Sequence, residues 1–401
     1  MKSHTKKCYL YLAILIIGSQ LLHAQSNFKL PAYESFRLDN GLEIFMVVQK
    51  EVPLVHFRAV IPAGTRRDTK DKAGLAGLTA DALSTGTQSF DKTTIESQLD
   101  FLGASYNTSA GSEAAVISSS FVNKDASVVL PILTEMIVKP IFDLQEFEKL
   151  QERAIAGVDQ MRESPRGVIG NYFNQMVYGD HPYANISSGT KKSLQQIGIQ
   201  DLKNFYAQNY QPQGSVLAIV GDFDPLVMKI QLSDLLSSWK NNTILAPTTP
   251  EIKALNKASV VVVNKEDARE TTMLVGGIGV PRNVSDYIGI QVINTILGGR
   301  FTSWLNDELR VNSGLTYGAR SSFSALKDGG SFSMSTFTAN ETTEQTIDLL
   351  LKTYQKIHDF GIDTKTLESI NTAEIYGLLT RRGWSSDTSS FIGFTKRMKN
   401  G

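Results

Sequence analysis

The sequence predicts an α+β fold built from two related domains, each with a mixed, mainly antiparallel sheet flanked by helices. Two observations support this fold class. Short apolar or alternating runs, typical of strands, are interspersed with longer runs in which apolar residues recur at helical spacing. The order of these runs begins again in the second half of the chain, which indicates an internal duplication.

A polar stretch that contains two prolines and three threonines separates the two halves, as an interdomain linker would. We therefore assign residues 27–240 to the first domain, residues 241–256 to the linker and residues 257–401 to the second domain. The chain of 401 residues is long enough for two sizeable cores.

The charge of the chain is balanced, with 40 Lys and Arg residues against 40 Asp and Glu residues. A chain of zero net charge has no long-range attraction for nucleic acid or anionic membranes, so we expect neither as a partner. The apolar and charged fractions, 41% and 20%, are those of an ordinary globular protein.

Residues 1–24 predict a secretory signal peptide. A lysine-containing start is followed by an apolar run at residues 9–22, and a small-residue cleavage site precedes Gln25. The run is too short for a comfortable membrane span, so we expect an exported protein, periplasmic or extracellular, with an uncleaved anchor as the alternative. Cys8 is the only cysteine, so a mature chain would contain no disulfide and no thiolate metal site.

The first domain is predicted to open with a hairpin at residues 35–48, whose turn is Asp39-Asn40-Gly41. Residues 178–189 are predicted to be irregular. The remaining runs predict strands at Leu54–Ile61, Ala104–Thr108, Ala114–Phe121 and Val216–Val220, and helices at Ala73–Leu83, Thr94–Leu102, Ala126–Val138, Leu144–Met161, Gln200–Tyr210 and Pro225–Trp239.

The second domain is predicted to open with a strand at Ser259–Val263, which ends in a run similar to Val48-Gln49-Lys50-Glu51. A second strand follows, and then helices at Tyr287–Leu297, Thr343–Phe360 and Leu367–Leu379. Fewer residues follow Gly377 than follow its counterpart Gly157. We therefore expect the second sheet to lack a strand comparable to Val216–Val220 and to expose unpaired backbone and apolar surface.

The run from Gly298 to Tyr317 predicts a glycine turn, a short helix and the start of a strand at residues 316–323. The helix has an apolar face, and Gly314 is well placed to end it. Arg310 would then end the helix and Tyr317 would open the strand, so that both side chains could reach one cavity. The alternative is that Arg310 binds the last helical carbonyls and Tyr317 packs on the sheet.

This run resembles the second half of the pitrilysin/insulinase family of zinc metallopeptidases, in which a glycine-rich turn precedes a helix that ends in Arg, and a Tyr follows seven positions later. Four further regions, in the same order, resemble that family: Pro62-Ala63-Gly64-Thr65-Arg66 with Gly74-Leu75-Ala76, Tyr178 to Tyr183, Asn209 to Pro212, and Val220 to Pro225. The resemblance implies a pair of domains that forms one half of a clamshell. It also implies that Arg310 and Tyr317 reach the zinc site of the other half and hold the substrate backbone.

The zinc motif of the family is missing from this chain. In active members, His-x-x-Glu-His lies on the helix after Gly-Leu-Ala, with two histidines on zinc and the glutamate on the zinc-bound water. The corresponding positions here are Gly77, Ala80 and Asp81, and no glutamate stands at residues 157–159, where the resemblance places a further ligand. We therefore expect no metal or other cofactor on this chain.

We interpret the chain as a non-catalytic partner of an exported zinc endopeptidase of the pitrilysin type. The partner subunit would carry zinc, while Arg310 and Tyr317 would bind a peptide substrate and Gly298 and Gly299 would allow close approach of substrate or partner. One alternative is a peptide-binding or scaffold protein without a hydrolytic partner. A second alternative, a peptidase with a cryptic metal site, is disfavoured by the missing ligands.

Overall fold

The computed structural model describes residues 32–242, 249–253 and 255–369. The predicted signal peptide, part of the linker and most of the helix predicted at Leu367–Leu379 lie outside the described residues. Within the described ranges, the chain forms two sheets, one in each predicted domain. None of the helices in these ranges has the length and apolar character needed to cross a bilayer.

The first sheet has six strands in the order β1-β2-β6-β3-β5-β4. β6 lies parallel to β2 and antiparallel to β3, and all other neighbours are antiparallel, so the predicted mixed, mainly antiparallel sheet is confirmed. The strands are β1 (Glu34–Arg37), β2 (Glu43–Val48), β3 (Leu54–Ile61), β4 (Ser105–Ala110), β5 (Ala115–Val122) and β6 (Val216–Gly221).

Local sequence signals define where the helices of the first domain begin. Asp91 and Asp143 accept hydrogen bonds from backbone amides at the starts of their helices, and Asp224 does so just before a proline at the first helical position. The helices are α1 (Leu75–Ala82), α2 (Lys92–Phe101), α3 (Ala126–Val138), α4 (Leu144–Arg162), α5 (Pro165–Tyr178), α6 (Lys191–Gln196), α7 (Ile199–Asn209) and α8 (Pro225–Leu236).

The core of the first domain lies between its sheet and its helices. Alternate residues of the strands point into it, as Val55, Phe57 and Ala59 do on β3. Helix α3 contributes Leu130 and Leu133, which are fully buried. This cluster is the largest in the described part of the chain.

The second sheet is smaller, with three described strands in the antiparallel order β7-β9-β8. They are β7 (Glu270–Ile278), β8 (Arg320–Ala325) and β9 (Gly330–Ala339), and the helices are α9 (Tyr287–Asn294), α10 (Trp304–Asn306) and α11 (Thr343–Phe360). A π-helical turn extends α9 over residues 295–299, and another extends α10 over residues 307–312. A compact core of buried side chains joins the sheet to α10 and α11: Leu297, Leu305, Leu309, Ala319, Met334 and Leu350.

The prediction of a strand at Ser259–Val263 is wrong. These residues have no strand pairing and are exposed, Val260 and Val262 by 87% and 86%. Sequence preference alone does not make a strand, because a strand needs a hydrogen-bonded neighbour, and none of the described residues supplies one here.

The strand predicted at residues 316–323 begins later, at Arg320, so Tyr317 lies in the preceding loop. Local hydrogen bonds hold this loop out of the sheet. Leu315 N donates to Leu309 O at 2.9 Å, and Ala319 N donates to the side-chain oxygen of Asn306 at 2.9 Å. The backbone amides on either side of Tyr317 are thus already engaged with the helical segment rather than with another strand.

The sequence patterns did not predict helix α5, which belongs to the first domain and contacts the second. Side chains of α5 and the turn after it, including Phe173, Val177 and Tyr178, pack with Leu274 and Leu326 of the second domain. At the other end of α5, Arg166 pairs with Glu270 at 2.8 Å and stacks on the Phe337 ring, with 3.6 Å between guanidinium carbon and ring centroid. Helix α5 therefore packs against the second sheet, chiefly along β7.

Candidate functional site

The helix that carries the zinc-motif positions, α1, is fixed by a buried carboxylate. Asp68 accepts hydrogen bonds from Gly74 N at 3.0 Å and Ala76 N at 2.9 Å, which satisfies two amides at the start of the helix. Gly74 has φ +96°, a conformation that favours glycine. Burial raises the pKa of Asp68 to about 7, although the bonds to the backbone act in the opposite direction.

The three motif positions on α1 do not fit zinc. Gly77 has no side chain, and a Cβ placed there would meet only Ser187 O at 3.8 Å. Ala80 is fully buried and carries no donor atom. Asp81 alone offers a carboxylate, whereas a catalytic zinc takes about three protein ligands. The described residues contain no group of three His, Cys, Asp or Glu side chains arranged to hold a metal ion.

An arginine that the sequence reading did not single out acts on Asp81. Asp81 lies on the exposed side of α1, yet the surrounding protein desolvates its carboxyl enough to raise the pKa to about 6, and the charge of Arg153 opposes this shift. Arg153 belongs to α4, the helix that packs on α1. Asp159, farther along α4, is paired with Lys191 at 3.1 Å. A positively charged side chain therefore lies near each of the two carboxylates, Arg153 near Asp81 and Lys191 near Asp159.

Arg310 and Tyr317 lie on the surface of the second domain. The Arg310 guanidinium stacks on the Phe301 ring, with 4.6 Å between its carbon and the ring centroid. Tyr317 is 84% exposed. Neither the guanidinium nor the Tyr317 hydroxyl forms a hydrogen bond or ion pair with the part of the chain that the structure describes. The two groups are thus available to a ligand outside the described chain.

The two glycines of the same region differ in their surroundings. Gly298 is buried, and a Cβ there would lie 2.2 Å from Ser321 N on β8, so the residue allows a helix end and a strand to touch. Gly299 is exposed, and a Cβ there would be 3.1 Å from Asn294 O. The close approach at Gly298 is made by this chain itself.

Glu113 connects the domains, a role that no local sequence pattern indicates. Its carboxylate pairs with Arg282 of the second domain and accepts hydrogen bonds from Tyr183 Oη at 2.7 Å and from Lys327 N at 2.8 Å. Burial alone would raise the pKa of Glu113, but the bonds from Lys327, Tyr183 and Arg282 outweigh it and lower the pKa. Glu113 is therefore a charged group in a site built from both domains.

A second ion pair lies beside the first. Arg66 Nη2 is 2.5 Å from Asp328 Oδ2, and the Arg66 guanidinium lies 5.6 Å from the centroid of the Tyr183 ring. His181 is buried next to them, with Nδ1 accepting from Tyr183 N at 3.1 Å and Nε2 4.0 Å from Asp328. Burial lowers the pKa of His181, Asp328 raises it and Arg66 lowers it. This histidine packs among the charged side chains that join the two domains.

Two descriptions of one peptidase family match the chain in sequence. Residues 46–191 match Insulinase (Peptidase family M16), and residues 196–373 match Peptidase M16 inactive domain. A Helicobacter pylori protein described as non-peptidase homolog YmxG is 23% identical over 324 residues, which cover 79% of this chain and 73% of that protein.

Solved structures share the fold. A peptidase M16 inactive domain from Pseudomonas fluorescens has a TM-score of 0.82 at 25% identity, covering 92% of this chain and 89% of that one. The first half of the periplasmic protease PqqL from Escherichia coli has a TM-score of 0.73 at 14% identity, covering 93% and 83%. Since the two family descriptions together span most of the chain, it belongs to peptidase family M16, the pitrilysin/insulinase family, and lacks the residues of that family's zinc-binding motif.

Proposed function

We propose that the chain is the non-catalytic subunit of an exported zinc endopeptidase, in which Arg310 and Tyr317 complete the substrate site of a zinc-bearing subunit. One observation carries the proposal. The chain has a half-buried Arg310 and an exposed Tyr317 with the family spacing, while Gly77, Ala80 and Asp81 do not supply the ligand set of the family's zinc site. The likeness to a non-peptidase homologue and to half of a periplasmic protease supports this assignment.

The two side chains would have different roles. The Arg310 guanidinium, which lies over the Phe301 ring, would bind a substrate carbonyl through charge-assisted hydrogen bonds. The Tyr317 hydroxyl would donate to the carbonyl near the cleaved bond, where negative charge develops in the transition state. Both groups would act only when a second subunit brings a substrate to them.

Reconstitution tests the proposal. The purified chain is mixed with a family member that carries His-x-x-Glu-His, and kcat and KM are measured on an extended peptide. Tyr317→Phe keeps the ring and removes the donor, so turnover should fall by ~10²–10³. Arg310→Lys should also lower kcat/KM, because an ammonium does not reproduce the planar fork of the guanidinium. Tyr172→Phe, which changes an exposed tyrosine on α5, is the matched control and should leave turnover unchanged.

Two results would contradict the proposal. Stoichiometric zinc in the purified single chain, together with peptide cleavage, would show that it is a peptidase by itself. Full activity of the reconstituted pair with both substitutions would remove the roles of Arg310 and Tyr317, and a peptide-binding scaffold would then be the better assignment. The export part is tested separately by mass spectrometry of the protein from its host, where a mature form that starts near Gln25 is expected.

A further inference from the structure

The last residue of α10, Asn306, is a buried asparagine, with 7% of its surface exposed. Its Nδ2 donates to Arg300 O and to Ser303 Oγ, each at 3.3 Å. Its Oδ1 accepts from Ala319 N at 2.9 Å. One planar amide therefore joins the turn before α10 to the loop before β8.

The turn before α10, residues 300–303, carries Phe301. The ring of Phe301 lies 4.6 Å from the Arg310 guanidinium carbon, and no described residue offers this guanidinium a hydrogen bond or an ion pair. The ring is 70% exposed, so core packing does not fix it. Its position follows from the backbone of the turn, which Asn306 binds at both ends.

The loop before β8, residues 315–319, carries Tyr317. Two threonine hydroxyls on β9 donate to carbonyl oxygens of this loop, at 2.7 and 3.0 Å. Asn306 binds the far end of the loop, at Ala319 N. Because the Tyr317 side chain is exposed, the place of its hydroxyl depends on this anchored backbone.

An apolar residue would suit the burial of position 306. Leu305 and Leu309, in the same helical segment, are fully buried. The amide of Asn306 is tolerated among them because both of its N–H groups and its oxygen have partners. What the amide adds, compared with an apolar side chain, is the link between the turn and the loop.

We propose that Asn306 is a positioning residue that sets the distance and orientation between the Arg310 guanidinium and the Tyr317 hydroxyl. The inference rests on the proposed function, because it assigns a role in the same substrate site. The carbonyl groups of an extended peptide have a regular spacing, so two donors serve it best when both are already in place. Asn306 would hold them there before the substrate arrives.

A double-mutant cycle in the reconstituted pair tests this role. Asn306→Leu is similar in size and removes all three hydrogen bonds. It should lower kcat/KM by about a hundredfold, the effect of a misplacement of about 1 Å. In a chain that already carries Arg310→Lys and Tyr317→Phe, the same change should lower kcat/KM by less than about threefold, because it acts through those two groups.

Asn209→Leu is the matched control. Asn209 is an asparagine of the first domain with the same exposure, 7%, and its Nδ2 donates to Phe205 O at 2.9 Å. The substitution removes a buried amide and should lower stability. The kcat/KM of the folded protein should stay within about twofold of the unsubstituted value, because no substrate group depends on this amide. Circular dichroism measures the folded fraction of every variant.

Asn306→Asp separates the two anchors. A carboxylate keeps the acceptor for the loop before β8 but loses the donors to the turn before α10. It should therefore displace Arg310 more than Tyr317, and KM should rise with a smaller loss of kcat.

A measurement on the single chain needs no partner. Backbone order parameters from NMR relaxation are about 0.85 in rigid backbone and below about 0.6 in flexible backbone. They should be high at residues 300–303 and 315–319 of the unsubstituted chain. Asn306→Leu should lower them in both segments, and Asn306→Asp should lower them at residues 300–303 alone.

Unchanged order parameters in Asn306→Leu would overturn the inference. So would an equal loss of kcat/KM in the two backgrounds of the cycle, or a loss in Asn209→Leu as large as that in Asn306→Leu, since either would show a general effect on folding. An inactive pair of unsubstituted subunits would count against the proposed function instead, and the order parameters would still decide whether Asn306 holds both segments.

Discussion

The two domains share an order of elements, but the first has a larger sheet and a larger core than the described part of the second. The first has six strands and a large core on its helical side, and β6 is buried on both faces. The described part of the second has three strands and a small core, and its valines and Tyr317 are exposed. The domain that has lost the family's metal-binding residues is thus the densely packed one. The domain that carries Arg310 and Tyr317 has the smaller sheet and core in its described part.

The largest effect is expected where the two domains meet. Glu113→Ala would leave Arg282 buried without its carboxylate, and this should lower the free energy of unfolding by about 3–5 kcal/mol. Urea unfolding measures it in variants that keep only Trp239 or only Trp304 of the three tryptophans, so that each reports on one domain. Glu148→Ala, at an exposed glutamate on α4, is the control and should change stability by less than about 0.5 kcal/mol. A shift of the Trp304 signal alone would show that the domains unfold independently.

A matched pair of core leucines compares the packing of the two domains. Leu130 on α3 and Leu350 on α11 are both fully buried, each on a helix that packs on its own sheet. Leu130→Ala should cost about 3–5 kcal/mol, because the dense core around it holds the cavity open. Leu350→Ala should cost about 2–3 kcal/mol, because the smaller core can relax into the space. Equal costs, measured by urea unfolding, would mean that the two cores are equally rigid.

Another prediction concerns pH and the cap of α1. Burial raises the pKa of Asp68 from 3.8 to about 7, so between these values the folded protein holds a proton that the unfolded chain has lost. The unfolding free energy should therefore fall as pH rises from about 4 to about 7. Asp68→Asn removes the titration and should flatten this part of the stability profile.

Asp91 serves as a control because its pKa is lowered, whereas that of Asp68 is raised. It caps α2 in solvent, and hydrogen bonds from Thr94 lower its pKa, so its contribution to stability is lost as pH falls below the usual Asp range. Asp91→Asn should change only that acidic part of the profile. An unchanged slope between pH 4 and 7 in Asp68→Asn would show that Asp68 is ionised throughout this range in the folded protein.

Local signals were sufficient for most elements. The helix predicted at Thr343–Phe360 has those bounds in α11, and the strand predicted at Leu54–Ile61 has those of β3. In both, the apolar periodicity and the packing agree. Helix α5 was missed because Gly167 and Gly170 weaken the helical pattern, although Pro165 at its first position is a typical start signal.

Features that depend on distant residues were not predictable from local patterns. Ser259–Val263 has the composition of a strand, but whether it forms one is decided by a neighbour far away in sequence. The same holds for the Glu113–Arg282 pair, whose members belong to different domains. In the candidate site, the loss of the zinc ligands and the spacing of Arg310 and Tyr317 were visible in the sequence. The charge of Arg153 near Asp81 required the packing of α4 on α1.

That arginine makes the loss of the metal site hard to reverse. Histidines at residues 77 and 81 and a glutamate at residue 80 would restore the motif letters, but a dication would then enter the field of the Arg153 guanidinium. The glutamate would also replace Ala80, whose place in the helix is fully buried. A zinc site on this helix would therefore need substitutions beyond the three motif positions, because Arg153 and the packing around residue 80 would also have to change.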